Sequence, residues 1–583
     1  MTTHSTSDPG PHIKVREHGL YIKENGRSRR LCDRIVPYVE IENEVLGKHQ
    51  IEFRFTTAHG KRTVTLDRAD AAKPGKLADA LLNASYDLPL GPDQRVVLQW
   101  LTSTKPRRFI RVVRSTGWRS NFSVFVTPTS VIGKHRLPTR LADPKAPHLA
   151  KCKQGGTFAG WQTEVAGPAG ALSSRFILMI SAAFAAPLVP IMRQLSQGLH
   201  LYGDPGTAKT TAFIVAGSTY GMSAEKDVIK LGSTEIGLED LAVGHNAVLM
   251  MLDELGVLEG GLKELAEQLR RLAYKLPSGS GKRKSQVYMR QHNLQHPDWD
   301  TLFATGGEYA LDELMARAGR KRSAGETSRF VDMPGARKDS LGLIDYLPKE
   351  IDGPPKKWAA DQIGALKKAC ERHHGHAFPA FVEGVIAHRK VIRARLEELM
   401  AQFRRTAKIE HVSGADKRRA DLFALIYAAG QLAVEWKIVP WTPKQVGRAI
   451  RRCYQDACEP QPSPLLEEGL QIVRERLASS VVIDLRHRKP TSLEEVEAAD
   501  GVIRTWRDGP VEACVKSERF REWFKSPAQQ QLVVAHLAQA KALNINEERG
   551  LPTRQCRLPL LKEKPSCYVL WMDAFEKQMT SVV

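Results

Sequence analysis

The stretch Gly203-Asp204-Pro205-Gly206-Thr207-Ala208-Lys209-Thr210 has the residue types and spacing that hold a polyphosphate. Backbone N–H groups turn inward on phosphates only where glycine permits the turn. A lysine must reach the outer phosphates, and a neighbouring hydroxyl must take a place on Mg²⁺. All three are present, and Thr210 and Thr211 lead directly into an apolar helical run ending at Gly217. The one departure is Ala208, where the general pattern has a glycine beside the lysine; alanine is the smallest replacement and keeps the loop. ATP with Mg²⁺ is the expected ligand pair, held by Gly203 through Thr211.

Such a loop needs acids facing it. Ala247-Val248-Leu249-Met250-Met251-Leu252 supplies an apolar run that ends in Asp253-Glu254. The run reads as a core strand, so the two acids stand at its tip and not on a solvated turn. Asp253 is expected in the Mg²⁺ shell, and Glu254 is expected to orient and deprotonate the attacking water. A further strand, Thr301 to Thr305, leads into Gly306-Gly307. Thr305 either touches the γ-phosphate or the water, or caps the turn, and both readings stand.

Between those strands, Gly261 to Lys275 places Leu262, Leu265, Ala266, Leu269, Leu272 and Ala273 on one helical face. Ser278-Gly279-Ser280-Gly281-Lys282-Arg283-Lys284-Ser285-Gln286-Val287-Tyr288 follows as a Gly-tipped, triply basic turn. Lys282, Arg283 and Lys284 either ride on DNA phosphates or belong to a solvated hairpin.

These residues need a scaffold, and 583 residues are too many for one hydrophobic core of ordinary size. The expected fold class is α/β, with a P-loop core over 166–345 flanked by other domains. Residues 1–165 read as a mixed, β-rich N-terminal domain, with strands from Ile35 to Leu66, at Val96 to Leu101, at Phe109 to Val113 and at Ser123 to Thr127. Its basic clusters, Arg27, Arg29 and Arg30, and Lys105, Arg107, Arg108, Arg111 and Arg114, either hold phosphates or solvate a sheet edge. Gly155 to Gly170, rich in Gly and Ala, reads as a linker. Strands then alternate with helices to about Met333, as a parallel sheet requires. Residues 346–458 are helical in period and read as a lid. Residues 459–583 read as helices followed by two short strands, Arg554 to Leu558 and Cys567 to Leu570, an order that suits a winged helix binding DNA or protein.

Composition narrows the partner. Lys plus Arg number 86 against 65 Asp plus Glu, a net charge of +21 with a pI near 9.6. That balance favours a polyanion, and DNA, single- or double-stranded, is the expected partner. The eight cysteines contain no Cys-x-x-Cys pair, which argues against a zinc site or a disulfide framework. The apolar stretch Phe176 to Met192 is broken by Pro187 and Pro190 and falls short of a membrane span. A cytoplasmic, reduced protein with no membrane partner is the expectation.

Several of these stretches carry a family resemblance. The Ala-Lys of the phosphate loop and Ser328-Arg329-Phe330 resemble the corresponding motifs of minichromosome maintenance helicases. More extensively, the chain resembles helicase-like proteins of phages and mobile elements, including the cassette chromosome helicases of staphylococci. The matching stretches include Gly117-Trp118, Val131-Ile132-Gly133, Gly198 through Thr211, Leu252-Asp253-Glu254, Thr305-Gly306-Gly307-Glu308 and Arg329-Phe330-Val331-Asp332-Met333-Pro334. The resemblance implies an AAA+ core with a helical lid, assembled with copies of itself as a ring that is expected to be hexameric. It implies that Arg329 reaches a neighbour's site, with Arg317, Arg320 and Arg322 as competitors. It also implies that Arg418 or Arg419, heading a lid helix, reaches the γ-phosphate. In a ring the basic turn would face the pore. The implied activity is ATP-dependent DNA unwinding, translocation or replication initiation in a phage or mobile element, with remodelling of a protein complex as the alternative.

Overall fold

The computed structural model describes residues 13–582 apart from 25, 58–59, 135–136, 231–234, 254–260, 282–296, 319, 338, 410, 413, 460–463, 506–508 and 546–550. At its centre lies a five-stranded sheet of β1 (Gln197–Tyr202), β2 (Ile229–Lys230), β3 (Met250–Asp253), β4 (Leu302–Gly307) and β5 (Phe330–Pro334), in spatial order β2-β3-β4-β1-β5. Every neighbouring pair is parallel, so each connection must cross over a face of the sheet. The chain leaves β1 toward one edge and returns to its other side with β5. Open parallel sheets receive ligands at such a reversal, at the C-terminal ends of the strands.

Alternation sorts the side chains onto two apolar faces. Leu199, Leu201, Ala304, Val331 and Met333 join one cluster with Phe213 and Ile177. Met250, Leu252, Phe303 and Phe330 join a second with Leu269 and Leu272. β1 approaches β4 so closely that a Cβ on Gly198 would lie 2.1 Å from the Phe303 ring.

Two helices carry the first face. α1 (Ser174–Ala185) buries every one of its residues, and α2 (Lys209–Gly217) buries all from Thr211 onward. A helix apolar all round belongs either in a large core or in a membrane. Despite Pro187 and Pro190, the helical stretch Ser174–Met192 is long and apolar enough for a span, contrary to expectation, and 89% of an 18-residue apolar window within it is packed inside the protein. Of the helical region that follows, α3 (Gly414–Glu435) and α4 (Pro443–Cys458) pack directly on α1. Their apolar residues belong to the same continuous cluster as the sheet. Arg175, fully buried on α1, ties these layers together. It bonds Asp456 of α4 at 2.6 Å, Asp345 at 3.3 Å and the Pro334 carbonyl at the end of β5. Removing one partner from such a buried set strands a charge and costs about 3–5 kcal/mol.

The N-terminal region contains a mixed sheet in the order Thr139–Leu141, Phe109–Val113, Ile35–Asn43, Lys48–Thr57, Gly60–Asp67, with helices packed on one face. The C-terminal region contains a five-stranded mixed sheet of its own, with helices against it.

Three expectations are corrected. Val96–Leu101 is helical, inside Pro92–Ser103: Gly91 at φ 62° reverses the chain, Pro92 opens the helix, and Val97, Leu98 and Leu101 share its buried side. Gly155–Gly170 is not a linker, because Phe158–Leu172 is helical almost throughout and buries Trp161, Val165, Ala166 and Ala169 in the main core. Small residues there allow close packing: a Cβ on Gly170 would lie 2.2 Å from the Trp441 indole nitrogen. The C-terminal sheet has three strands beyond the expected two, Val482–Asp484, Gly501–Thr505 and Val511–Lys516. They are short and largely buried, so they lack the alternation that marks a half-exposed strand.

Candidate functional site

β1 ends at Tyr202, and the loop Gly203–Ala208 follows before α2 begins at Lys209. Gly203 at φ 146° and Gly206 at φ 79° hold backbone conformations that side chains disfavour. Ala208 also lies in the left-handed region, at φ 74° and ψ 27°. The position normally filled by glycine therefore keeps its glycine-like backbone here, at a cost of about 1–2 kcal/mol for the methyl group.

The Lys209 ammonium lies folded back over this loop, donating to the Gly203 carbonyl at 2.6 Å and to the Asp204 carbonyl at 2.8 Å. Thr207 braces the turn by donating to Asp204 O at 2.8 Å. Burial lowers the lysine's pKa, and Asp253, Glu308 and Asp204 oppose that shift. A partly desolvated ammonium gains more from an anion than a fully hydrated one does.

Thr210 and Asp253 meet. The Thr210 hydroxyl donates to Oδ2 of Asp253 at 2.7 Å. β4 leaves room for the carboxylate by having Gly306 there: a Cβ at that position would lie 2.4 Å from Asp253 Oδ1 and 3.0 Å from the Phe213 ring. A hydroxyl and a carboxylate at the end of a lysine-bearing loop, in front of a helix N-terminus, form the donor set that Mg²⁺ with a polyphosphate requires. Thr211 is buried behind them. Pro205 lies exposed at the crest of the loop. Glu254 lies outside the described residues, as do Lys282, Arg283 and Lys284. The two ends of that basic insertion are described and lie side by side. Gly281 donates to the Pro297 carbonyl at 2.8 Å, and Trp299 donates to the Gly279 carbonyl at 2.9 Å.

Thr305 takes a different place from the loop residues. It pairs with His200 across β4 and β1, is fully buried, and its hydroxyl shares a 2.8 Å hydrogen bond with His200 Nδ1. Gly306, next along the strand, faces Phe213 and Asp253, so Thr305 points to the opposite face of the sheet. His200 Nε2 is 2.9 Å from the Tyr309 carbonyl, and burial pushes the imidazole down to about 4.

The arginines separate by environment. Arg322 is buried and paired with Asp332 at 2.7 Å, and Arg320 pairs with Glu267 at 2.8 Å. Arg329 makes no ion pair among the described residues and lies half-buried, 5.5 Å from the Tyr274 ring centroid. It immediately precedes β5, whose first residue pairs with Gly198, so it stands at the opposite end of the strands from the Gly203–Ala208 loop. Five residues of β-strand separate the two levels by roughly 16 Å. Arg418 stands beside it, donating to Ser328 Oγ at 3.4 Å, and Gln197 bridges the Ser328 and Arg418 carbonyls. Arg419 turns elsewhere, to the Ala457 carbonyl at 3.2 Å and to Asp416.

Sequence reasoning missed the segment after β5. Gly335 donates to the Tyr202 carbonyl at 2.7 Å and Leu343 to the Thr207 carbonyl at 3.0 Å, so the segment they bound is tied to both ends of the Gly203–Ala208 loop. Arg337 on this segment pairs with Asp456 of α4 and with Asp339. The signal available was Pro334-Gly335 at the end of a strand, which marks a turn but not its destination.

A family model described as a domain of unknown function (DUF927) matches residues 19–291. No curated protein matches the chain. A solved structure described as the active helicase Cch of SCCmec type IV is similar to this chain, with a TM-score of 0.55 and 12% identity. The alignment covers 98% of this chain and 100% of that one, so the likeness of fold extends through the regions on either side of the central sheet.

Proposed function

We propose that this chain is an ATP-dependent DNA helicase or translocase of a mobile element, acting as a ring. The observation that carries the reading is the convergence of Lys209, Thr210 and Asp253 at the C-terminal edge of a parallel sheet, around a loop of left-handed residues. The loop amides of Gly203 through Ala208 and the Lys209 ammonium bind the phosphates of ATP. Thr210 and Asp253 hold Mg²⁺, which when bound neutralises charge on the β- and γ-phosphate oxygens. Glu254 orients the water and accepts its proton. The similar fold of a chain described as an active helicase and the net charge of +21 support DNA as the track. Arg329 serves a neighbouring subunit, because its own loop lies roughly 16 Å away along the strands. The same position favours Arg418 over Arg419 as the second arginine at that interface. Thr305 acts as a support through His200.

The deciding measurement is ATP hydrolysis with and without DNA, together with unwinding of a forked substrate. It compares the native chain with Lys282→Ala/Arg283→Ala/Lys284→Ala. Stimulation and unwinding that disappear in the triple variant, with basal hydrolysis retained, support the motor. A native chain whose hydrolysis gains nothing from any DNA turns the assignment to a remodeller of protein complexes.

A further inference from the structure

One face of the N-terminal sheet carries a small apolar cluster of its own, Val39, Ile41 and Val112 with Tyr38 and Ile110, to which no helix residue belongs among the described residues, and its outer side chains are not those of a merely solvated surface. The register fixes which residues share it. Val36 pairs with Arg54, Ile41 with Gln50 and with Ile110, and Arg140 with Val112. Alternation from these pairs puts Arg34, Arg54, Lys61, Arg108 and Arg140 on the same face, drawn from five strands or strand entries. The helices Pro74–Asn83 and Pro92–Ser103 pack on the other face, through Leu77, Leu81 and Val97.

Tyr38 stands among these cations. A bulge between Pro37 and Val39 lifts it out of the ladder. The Arg54 guanidinium lies 3.4 Å from its ring centroid and that of Arg108 lies 4.9 Å away, the latter also donating to the phenol oxygen. The carboxylate on this part of the face is Glu52, which is 7% exposed and bound between Arg54 and Arg140. Arg34, Lys61 and Arg108 make no ion pair among the described residues. Neighbouring strands are about 4.8 Å apart, so the cations are spread across roughly 15–20 Å of this face.

From this arrangement we infer that the face is a docking surface for single-stranded DNA, a reading that rests on the DNA motor proposed above. Phosphates are taken by the arginines and Lys61, and unpaired bases stack on Tyr38 and on the guanidinium planes. A duplex keeps its bases inside and would use the cations alone.

The test is fluorescence anisotropy of a labelled oligo-dT strand and of a duplex of equal length, with full-length chain and no nucleotide, across a salt series. Arg54→Ser/Arg108→Ser weakens single-strand binding at least tenfold, and its log–log salt slope falls by about 1.4, at roughly 0.7 for each phosphate left without its arginine. Tyr38→Leu weakens single-strand binding several-fold, leaves the slope unchanged and leaves duplex binding alone. Glu52 keeps Arg140 in the double variant. Should that variant unfold, Arg34→Ser/Lys61→Ser gives the same slope readout from side chains without ion pairs. Unchanged affinity and slope in folded variants overturn the inference, and so does an equal weakening by Tyr38→Leu on single strand and duplex. Binding that depends on Tyr38, Arg54 and Arg108 in a chain whose hydrolysis ignores DNA keeps this surface and rejects the motor. A motor stimulated by DNA but indifferent to these residues does the reverse.

Discussion

The Thr210 hydroxyl and the Asp253 carboxylate are joined by a 2.7 Å hydrogen bond that spans 43 residues of chain and links the first turn of α2 to the tip of β3. Both groups are only partly buried, so neither is there to stabilise a core. Thr210→Ala and Asp253→Asn are each expected to lower kcat for ATP at least 100-fold, about 2.7 kcal/mol of barrier. Thermal unfolding should move by no more than about 1 kcal/mol equivalent. Steady-state hydrolysis with a melting curve checks both, and near-native turnover in either variant rejects the metal assignment.

Gly306 provides an independent handle on the same pair. Alanine there would place its methyl 2.4 Å from Asp253 Oδ1. Gly306→Ala is expected to displace the carboxylate and reduce turnover by tenfold or more with raised Mg²⁺ requirement. A titration of hydrolysis against Mg²⁺ reads this directly; a native Mg²⁺ profile would contradict it.

Ala208 carries strain that glycine lacks. Relief of the left-handed penalty, offset by the extra freedom of glycine in the unfolded chain, leaves Ala208→Gly more stable by about 0.5–1 kcal/mol. Denaturant unfolding measures the change. A fall in stability would mean that the methyl group's packing outweighs its backbone strain.

Arg329 stands at the far end of the strands from its own loop, and in the proposed ring it acts across an interface. Arg329→Ala and Lys209→Ala should each be inactive alone, while mixing them restores a fraction of hydrolysis, because some interfaces then join an intact loop to an intact arginine. No recovery over a range of mixing ratios would place the arginine's role elsewhere.

His200 and His245 are buried, each pushed down to about 4 by desolvation. With unfolded values near 6.5, both stay neutral in the folded state while the unfolded chain takes up protons. Their stabilising contribution is complete above pH 6.5 and is lost as pH falls from there toward 4. At pH 5 the loss is roughly 2 kcal/mol for each. Unfolding free energies at pH 7 and pH 5 should differ less in His200→Gln than in the native chain; an equal difference would exclude His200 as a source.

The turn Gly203–Ala208 between a strand and a helix, the strand ending in Asp253 and the alternation of strands with helices were legible in the sequence because each is a local pattern: a spacing of glycines, an apolar run with an acid at its end, a period. Local chemistry also made the basic character of the chain legible. Other features were not legible, because they depend on which distant segments touch. Thr305 could be read either way until β4 was set beside β1, which turned its hydroxyl toward His200 and left Gly306 to face Asp253. Arg418 and Arg419 are neighbours in sequence, and only the packing of α3 sends one to Ser328 and the other to Ala457. Gly155–Gly170 has the composition of a linker, yet its small residues are what allow Trp441 and Trp161 to close the core around it. Composition states what a segment can do alone, whereas burial and strand pairing between residues far apart in the chain decide which of those options is realised.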